Sequence, residues 1–338
     1  MYFSHLCLVD RRPEIPDHVR FQQQLEEVRL LDELGYWAVW FGEHHFVGYA
    51  LCGDTLTMCA AAARETRRIR LGAGVVVLPF HHPIRVAEQA ALVDCLSNGR
   101  LLLGVGRGYQ PPEFAGFGQR LEDSAARFEQ ALAVLRRAFS ENDFSYETDF
   151  WRGEHVTTWP KPLQQPIPLW GASLSDASFE RYGRLGFPIL TFPSTVPADQ
   201  LKEQIDTYRC VYRESGHDPA RMRIGFTAFA YIEEDGERAN RIFEGAMRQY
   251  FGLLDRLTRL ETAAEVAQQV YDRIPNTGRV TGNPDDAIAR VRWIRDYFGV
   301  TDIVNVTHFA GVLSHDQVMG SMRLWAERVM PAFGREAP

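Results

Sequence analysis

The segment WFGEHHF, residues 40–46, places a carboxylate and two imidazoles directly after an apolar aromatic run. Glu43, His44 and His45 are residue types that move protons or bind metal ions near neutral pH. Three interpretations are open: a metal site, a catalytic base with supporting residues, or polar groups hydrogen-bonded where a buried strand ends. Successive side chains of a strand point to opposite faces, so His44 and His45 are not expected to share one pocket.

The metal site is the least favoured of these three interpretations. Metal ligands on a barrel strand are expected at a spacing of two, as in His-x-His, and no such pair of histidines occurs in the sequence. Two further histidines, His81 and His82, follow the next predicted strand. Hydrogen bonding at a strand end is the favoured interpretation for them and for His45, and we therefore expect no metal.

A glycine-rich stretch, GVGRGYQPPEF, covers residues 104–114. It is similar to the start of a dinucleotide fingerprint, which must open into a helix. Pro111 and Pro112 come at once, so we expect no helix to begin in this loop and no dinucleotide site. Two interpretations remain: a tight glycine turn, or a close backbone approach to a ligand whose phosphate is held by Arg107.

The segment GASLSDAS, residues 171–178, favours an anion site. A strand ends there in small residues and Ser173, and a helix is expected to begin near Ser175 and Asp176. Free amide groups at a helix start favour an anion, whereas Asp176 opposes a phosphate unless its carboxylate serves only as a cap. Arg107 and this helix terminus could together hold the phosphate of a mononucleotide such as FMN.

Strand and helix patterns alternate along the whole chain. Strands are predicted over residues 2–9, 36–42, 69–78, 100–105, 167–170, 188–192, 223–232 and 302–306. Continuously apolar strands with helical returns indicate a parallel sheet covered on its outside. We therefore predict an α/β fold, a (β/α)8 TIM barrel in a single domain over residues 1–338, with insertions after strands 4 (140–166) and 7 (250–281). A doubly wound sheet is the alternative.

Capping residues mark several predicted helix boundaries. Asn283 is followed by Pro284 and two acidic residues, which is typical of a helix start. Asp54 is the predicted N-cap of an alanine-rich helix, and Gly35 is expected to end the first helix. The last helix is predicted over residues 317–330.

Composition excludes several classes of protein. The chain has 338 residues and a net charge of -7. Lysine is rare and no basic block occurs, so we expect no binding to nucleic acid or acidic membranes. The five cysteines are scattered, which favours reduced thiols. The longest uncharged stretch, residues 71–84, is shorter than the roughly 20 residues that span a membrane, and we expect a cytoplasmic protein.

The motifs EHHF and L-P-x-x-H-P, at this spacing, resemble those of the bacterial luciferase-like flavin-dependent monooxygenases. The similarity runs from residue 1 to about residue 139 and returns at residues 167–190 and 281–333. The resemblance implies a TIM-barrel enzyme that uses reduced FMN and oxygen, through a flavin C4a-hydroperoxide. It also implies hydroxylation or Baeyer-Villiger-type oxidation of a small, largely apolar organic substrate.

The resemblance assigns roles to particular residues. His44 matches the catalytic histidine, and either Glu43 or His45 would orient it from behind. Arg107 and Ser173 match residues that hold the FMN phosphate. The full expected cofactor-binding set is Gly74, Val75, Gly106, Arg107, Gly108, Tyr109, Ala172 and Ser173. Members of the family often have a non-proline cis peptide at the position that matches Gly74 and Val75.

The sequence departs from the luminous members of this family at three places. Gly106 stands where they have a reactive cysteine, and Ala172 stands where they have a glutamate. The segment 250–281 is shorter than their mobile lid. We therefore expect no useful light emission from long-chain aldehydes.

The sequence lacks a convincing nicotinamide-nucleotide fingerprint. We therefore expect reduced FMN to come from a separate flavin reductase that binds transiently, and the resemblance implies a homodimer. Two alternatives stay open: a deazaflavin-dependent oxidoreductase that transfers hydride, and a non-catalytic flavin-binding subunit.

Overall fold

The computed structural model describes residues 1–193, 196–257, 276–309 and 311–334. Its strands are β1 (Tyr2–Cys7), β2 (Ala38–Phe41), β3 (Arg70–Val77), β4 (Leu101–Gly106), β5 (Phe144–Glu147), β6 (Arg152–Val156), β7 (Leu169–Ser173), β8 (Ile189–Thr191), β9 (Ile224–Ile232), β10 (Arg279–Gly282) and β11 (Asp302–Val306). Eight of them form a closed parallel barrel in the order β1-β2-β3-β4-β7-β8-β9-β11, because β8 pairs with β9 and β11 pairs with β1. This closure confirms the predicted (β/α)8 barrel and excludes the open, doubly wound sheet.

Helices connect the strands and cover the outside of the barrel. They are α1 (Asp17–Leu34), α2 (Thr55–Glu65), α3 (Pro83–Leu96), α4 (Pro111–Gly116), α5 (Ser124–Ser140), α6 (Asp176–Leu185), α7 (Ala198–Glu214), α8 (Gly236–Leu257), α9 (Pro284–Phe298) and α10 (His315–Leu324). Short 3-10 turns lie at Leu78–Phe80, Leu121–Asp123, Pro219–Arg221 and Asn276–Gly278. No helix within the described ranges is both long and apolar enough to cross a membrane.

The predicted helix boundaries follow local capping chemistry. The Asp54 carboxylate accepts a hydrogen bond from the backbone N–H of Thr57, and the Asn283 side chain accepts from the first turn of α9. Gly35 ends α1 with a φ of 78°, which glycine adopts at little cost. The last helix is shorter than predicted: α10 ends at Leu324, and the chain continues as a π-turn over Trp325–Val329 and a 3-10 turn.

The described residues of both predicted insertions form β-strands. The stretch 140–166, predicted to be irregular, contains the antiparallel hairpin β5–β6, in which Phe144 and Tyr146 are buried. Of the second insertion, 250–281, residues 258–275 lie outside the described residues. Its described end forms β10, a strand that the sequence did not predict and that extends the pairing of β9.

Aromatic side chains fill the lower half of the barrel. The rings of Trp40 and Trp170 pack at 5.2 Å between centroids. A Cβ at Gly72 would lie 2.1 Å from the Trp40 ring, so only glycine leaves room for this tryptophan. Beyond these rings a cavity opens toward the carboxyl ends of the strands, where barrel enzymes place their active sites.

Candidate active site

A cavity of about 330 Å³ opens at the carboxyl end of the barrel. This volume is within the range of small-molecule sites, roughly 300–1,000 Å³. All but two of the residues expected at the site line it: Glu43, His44, Gly74, Val75, Gly106, Arg107, Gly108, Tyr109 and Ala172. His45 and Ser173 do not line this cavity.

His44 lies at the end of β2 and is held from its Nδ1 side. Nδ1 lies 2.9 Å from a carboxylate oxygen of Glu113. The side-chain nitrogen of Gln110 lies 3.1 Å from Nδ1 but donates to the Tyr49 hydroxyl, at 3.0 Å. The same Glu113 oxygen accepts the backbone N–H of His45 at 3.0 Å. Because a carboxylate only accepts hydrogen bonds, Nδ1 is the donor and the other ring nitrogen, Nε2, is left for proton exchange.

Glu113 reaches His44 because a helix begins in the loop where none was expected. The prediction that no helix can begin after Tyr109 was wrong, since α4 begins at Pro111. Proline is accepted at the first helical position, where its missing N–H would have no intrahelical partner anyway. The sequence analysis therefore missed Glu113 and Gln110, although an acidic residue in a first helical turn is a recognisable signal.

Glu43 and His45 do not orient His44, contrary to the expectation. Glu43 Oε1 accepts hydrogen bonds from Nε2 of His45 at 2.9 Å and of His81 at 2.8 Å, and Oε2 accepts the Val77 N–H at 3.2 Å. Burial raises the pKa of Glu43, but the two histidines outweigh it and hold this pKa below its usual range. The His45 ring lies outside the cavity lining and points toward this carboxylate.

One wall of the cavity is built from glycines and small apolar side chains. Gly74 and Val75 both line it, and the peptide bond between them is cis. A Cβ at Gly106 would lie 2.5 Å from Val75 Cγ2. The backbone of β4 therefore packs directly against Val75, and the wall between them is flat and apolar.

The cavity also carries groups suited to binding an anion. Arg107 lines it and has no acidic partner among the residues that the structure describes. Arg181, on α6, also lines the cavity and pairs with Glu129 at 2.5 Å. The start of α6 adds a favourable helix dipole, although the backbone N–H groups of Leu174 and Ser175 already donate to the Ser178 hydroxyl.

The serine expected to contact a phosphate is in a different place. Strand β7 continues through Ser173, so Ala172 and Leu174 face the cavity while Ser173 lies on the other face of the strand. Its hydroxyl is buried without a hydrogen-bond partner among the described residues. Ser175 and Ser178 line the cavity instead. These two serines and Arg181 were missed because the predicted strand ended three residues too early.

Asp176 does not oppose an anion at this end. Its carboxylate accepts a hydrogen bond of 2.7 Å from the side-chain amide of Gln204, on α7, and it does not line the cavity. Two arginines, a helix start, a flat apolar wall and a histidine line the same cavity, and together they form a donor set that fits FMN. Arg107 and the α6 terminus would hold its phosphate, and Gly74, Val75 and Gly106 would contact its ring system.

Comparison with known proteins agrees with this arrangement. Limonene 1,2-monooxygenase of Rhodococcus erythropolis is 29% identical over 314 residues, which cover 92% of this chain and 81% of that enzyme. The oxygenase component of the flavin-dependent trigonelline monooxygenase of Acinetobacter baylyi is 29% identical over 224 residues, 65% of this chain and 62% of that protein. The crystal structure of monooxygenase RslO1 from Streptomyces bottropensis is 29% identical, with a TM-score of 0.89 over 99% of this chain and 100% of that one. The profile of the luciferase-like monooxygenases matches residues 1–301, and the chain belongs to this family of enzymes.

Proposed function

We propose that this chain is the oxygenase component of a two-component monooxygenase that uses reduced FMN and molecular oxygen. Its product is a small, largely apolar organic molecule that has been hydroxylated or has undergone Baeyer-Villiger-type oxidation. The observation that carries this proposal is one cavity lined both by Arg107, which can bind an anion, and by His44, which a carboxylate holds.

The cofactor is proposed to bind through its phosphate and the face of its ring. The Arg107 guanidinium can donate two parallel hydrogen bonds to a phosphate, and the helix dipole at the start of α6 adds a favourable field for the anion. Gly106 lets the flat wall at Val75 stay in place. When bound, reduced FMN supplies the activation of molecular oxygen at its C4a carbon.

His44 is proposed to act as the acid and base of the reaction. Glu113 keeps the hydrogen on Nδ1, so Nε2 can accept a proton from the substrate side and return it. The carboxylate also stabilises the imidazolium that forms when His44 takes up this proton. A positioned group of this kind contributes about 10²- to 10⁴-fold in rate.

The substrate is proposed to be largely apolar. Leucine and aromatic side chains provide much of the remaining cavity surface: Leu6, Leu8, Leu190, Phe192 and Tyr250. Thr191 and Thr227 are polar groups close to them, which can orient one oxygen atom of a substrate. The named substrate of one relative, limonene, is a hydrocarbon. Apolar walls also exclude water from the reacting centre.

A separate reductase is proposed to supply the reduced flavin. No segment of the sequence has a dinucleotide fingerprint, and one relative is itself named as an oxygenase component. The chain would then bind the reductase only transiently, and we retain the predicted homodimer as part of the proposal.

The proposal is tested with purified protein and each reduced cofactor in turn. We expect the protein to bind reduced FMN anaerobically and, with limonene and related apolar ketones and alkenes, to place one atom of ¹⁸O₂ in a product detected by mass spectrometry. Hydride transfer from a reduced deazaflavin without oxygen uptake would establish the alternative instead. Binding of flavin with no product from any substrate of the panel, and no faster flavin oxidation than in free solution, would support a non-catalytic subunit.

A further inference from the structure

A buried carboxylate at the wall of the cavity lies between two histidines. Glu43 and His45 come from the end of β2, and His81 follows the turn after β3. One oxygen of Glu43 and Nε2 of each histidine lie within 4.8 Å of one another. We propose that these three residues bind a divalent transition-metal ion such as Zn²⁺.

The sequence spacing suits such a site. Glu43 and His45 are separated by one residue, so both side chains point to the same face of the strand end. A barrel strand is expected to present two metal ligands at a spacing of two, and here the pair is a glutamate and a histidine instead of two histidines. Two histidines and a glutamate, with a fourth position open to water, are a common ligand set for zinc in enzymes.

The distances need only a small adjustment to hold the ion. Zinc bonds of about 2.0–2.2 Å in a tetrahedron separate neighbouring ligand atoms by about 3.3 Å. Glu43 Oε1 now lies 2.9 Å from His45 Nε2 and 2.8 Å from His81 Nε2. Each histidine nitrogen would move roughly half an ångström away from Glu43 to reach the spacing of a zinc site, and the two histidine nitrogens already lie within 4.8 Å of each other.

The surroundings of the three ligands favour a bound cation. The second oxygen of Glu43 is already fixed by the Val77 N–H at 3.2 Å, and such outer contacts orient metal ligands. The rings of Phe80 and Phe117 flank His45, at 5.7 Å and 4.7 Å between centroids. His81 keeps 28% of its side chain exposed, which gives an ion a route in from solvent.

A second group of residues that could ligate a metal differs from this one in its surrounding charges. Cys7, Glu27 and His308 also lie within 4.8 Å of one another. There, however, the Arg20 guanidinium lies 3.2 Å from Glu27 and 3.4 Å from His308. An arginine therefore already neutralises that carboxylate and would repel a metal ion. At the proposed site, by contrast, the charged group that acts on His81 besides Glu43 is a carboxylate, that of Asp54.

The test uses the untagged, full-length protein after treatment with a chelator, and it needs no flavin. Co²⁺ and Zn²⁺ are titrated separately, and binding is followed by the visible absorption of Co²⁺ and by calorimetry. We expect one equivalent per chain. Glu43→Gln and His81→Ala should each weaken binding by more than about 100-fold, because loss of an outer partner alone costs on the order of 10- to 100-fold.

Two control variants remove histidines that are not proposed as ligands. His82→Ala, next to a proposed ligand, and His155→Ala, on the exposed hairpin β5–β6, should bind the metal like the wild type. Circular dichroism checks that every variant is folded. If a variant does not fold, the titration of the wild type is the test. A wild-type protein that does not bind one saturable equivalent of metal overturns the site. Binding that persists in both ligand variants overturns it as well, and leaves Glu43 as a hydrogen-bond acceptor only.

Discussion

A substitution of Glu113 tests most directly whether its hydrogen bond keeps the ring hydrogen of His44 on Nδ1. Its carboxylate is almost fully buried, and one oxygen accepts hydrogen bonds from His44 Nδ1 and from the His45 backbone. The substitution Glu113→Gln keeps the shape of the side chain and removes its charge. If the new amide NH₂ faces His44, it donates to Nδ1 and forces the ring hydrogen onto Nε2, the nitrogen that must accept a proton.

The expected magnitude follows from the charged hydrogen bond between Glu113 and His44 Nδ1. A hydrogen bond to a charged group contributes about 1.5–3 kcal/mol, and about 1.4 kcal/mol corresponds to a factor of ten. We therefore expect product formation to fall by about 10- to 150-fold. The affinity for reduced FMN should stay unchanged, because the proposed phosphate contacts come from Arg107 and the start of α6 and not from Glu113.

The assay measures product per flavin oxidised, anaerobic FMN affinity and melting temperature for the same preparations. Glu147→Gln, on the exposed face of β5, is the matched control and should behave like the wild type. Unchanged product formation in Glu113→Gln would refute the role of this carboxylate. A loss of activity that follows a loss of folded protein would refute it too.

Three further predictions concern the cofactor site and the stability of the barrel. Arg107→Ala should weaken reduced-FMN binding by about 10- to 150-fold, measured by anaerobic titration, through loss of a charge-assisted contact. Gly106→Ala should also weaken it, by about 1–3 kcal/mol, because its Cβ would push Val75 into the space of the flavin. Burial raises the pKa of Glu27, but His308 outweighs it and holds this pKa well below 4.5. Glu27→Gln should therefore lower the melting temperature, at a cost of about 3–5 kcal/mol, with a difference from wild type that shrinks as the pH falls below 4.5.

The two predictions on FMN binding each have a control on the same chain. Arg120→Ala removes an exposed arginine, and Gly245→Ala adds a methyl group where no atom lies within 4 Å. Both variants should bind reduced FMN like the wild type. For Glu27, the sign follows from its depressed pKa: the stabilisation is present above the ordinary value and is lost as the carboxylate is protonated. A difference in melting temperature that grows toward acid pH would contradict this reasoning.

Local patterns were sufficient to predict the barrel. Asn283 and Asp54 cap their helices through contacts within three residues, and such short-range chemistry is readable from sequence. The alternation of apolar strands and helices gave the order of the eight units for the same reason. The end of β7, at Ser173, was predicted three residues too early. Small residues occur both in the last positions of a strand and in the turn that follows it, so their presence does not fix where the strand ends.

The partners of His44 could not be read from local patterns. Glu113 lies 69 residues further along the chain, and only the closed barrel brings the ends of β2 and β4 together. Likewise, Glu43 meets His81 across 38 residues. The sequence analysis therefore placed the correct motifs at the mouth of the barrel but assigned the wrong neighbours to the histidines.

The central claim is that His44 moves the proton of an oxygenation carried out beside it. The most direct measurement compares His44→Ala with His45→Ala for product and hydrogen peroxide per flavin oxidised, together with melting temperature. We expect His44→Ala to fold, to bind reduced FMN, and to lose product by about 10²- to 10⁴-fold while hydrogen peroxide rises. His45→Ala, whose ring faces Glu43, should keep most of its coupling. Equal losses of product in both variants, each matching a loss of stability, would contradict the account.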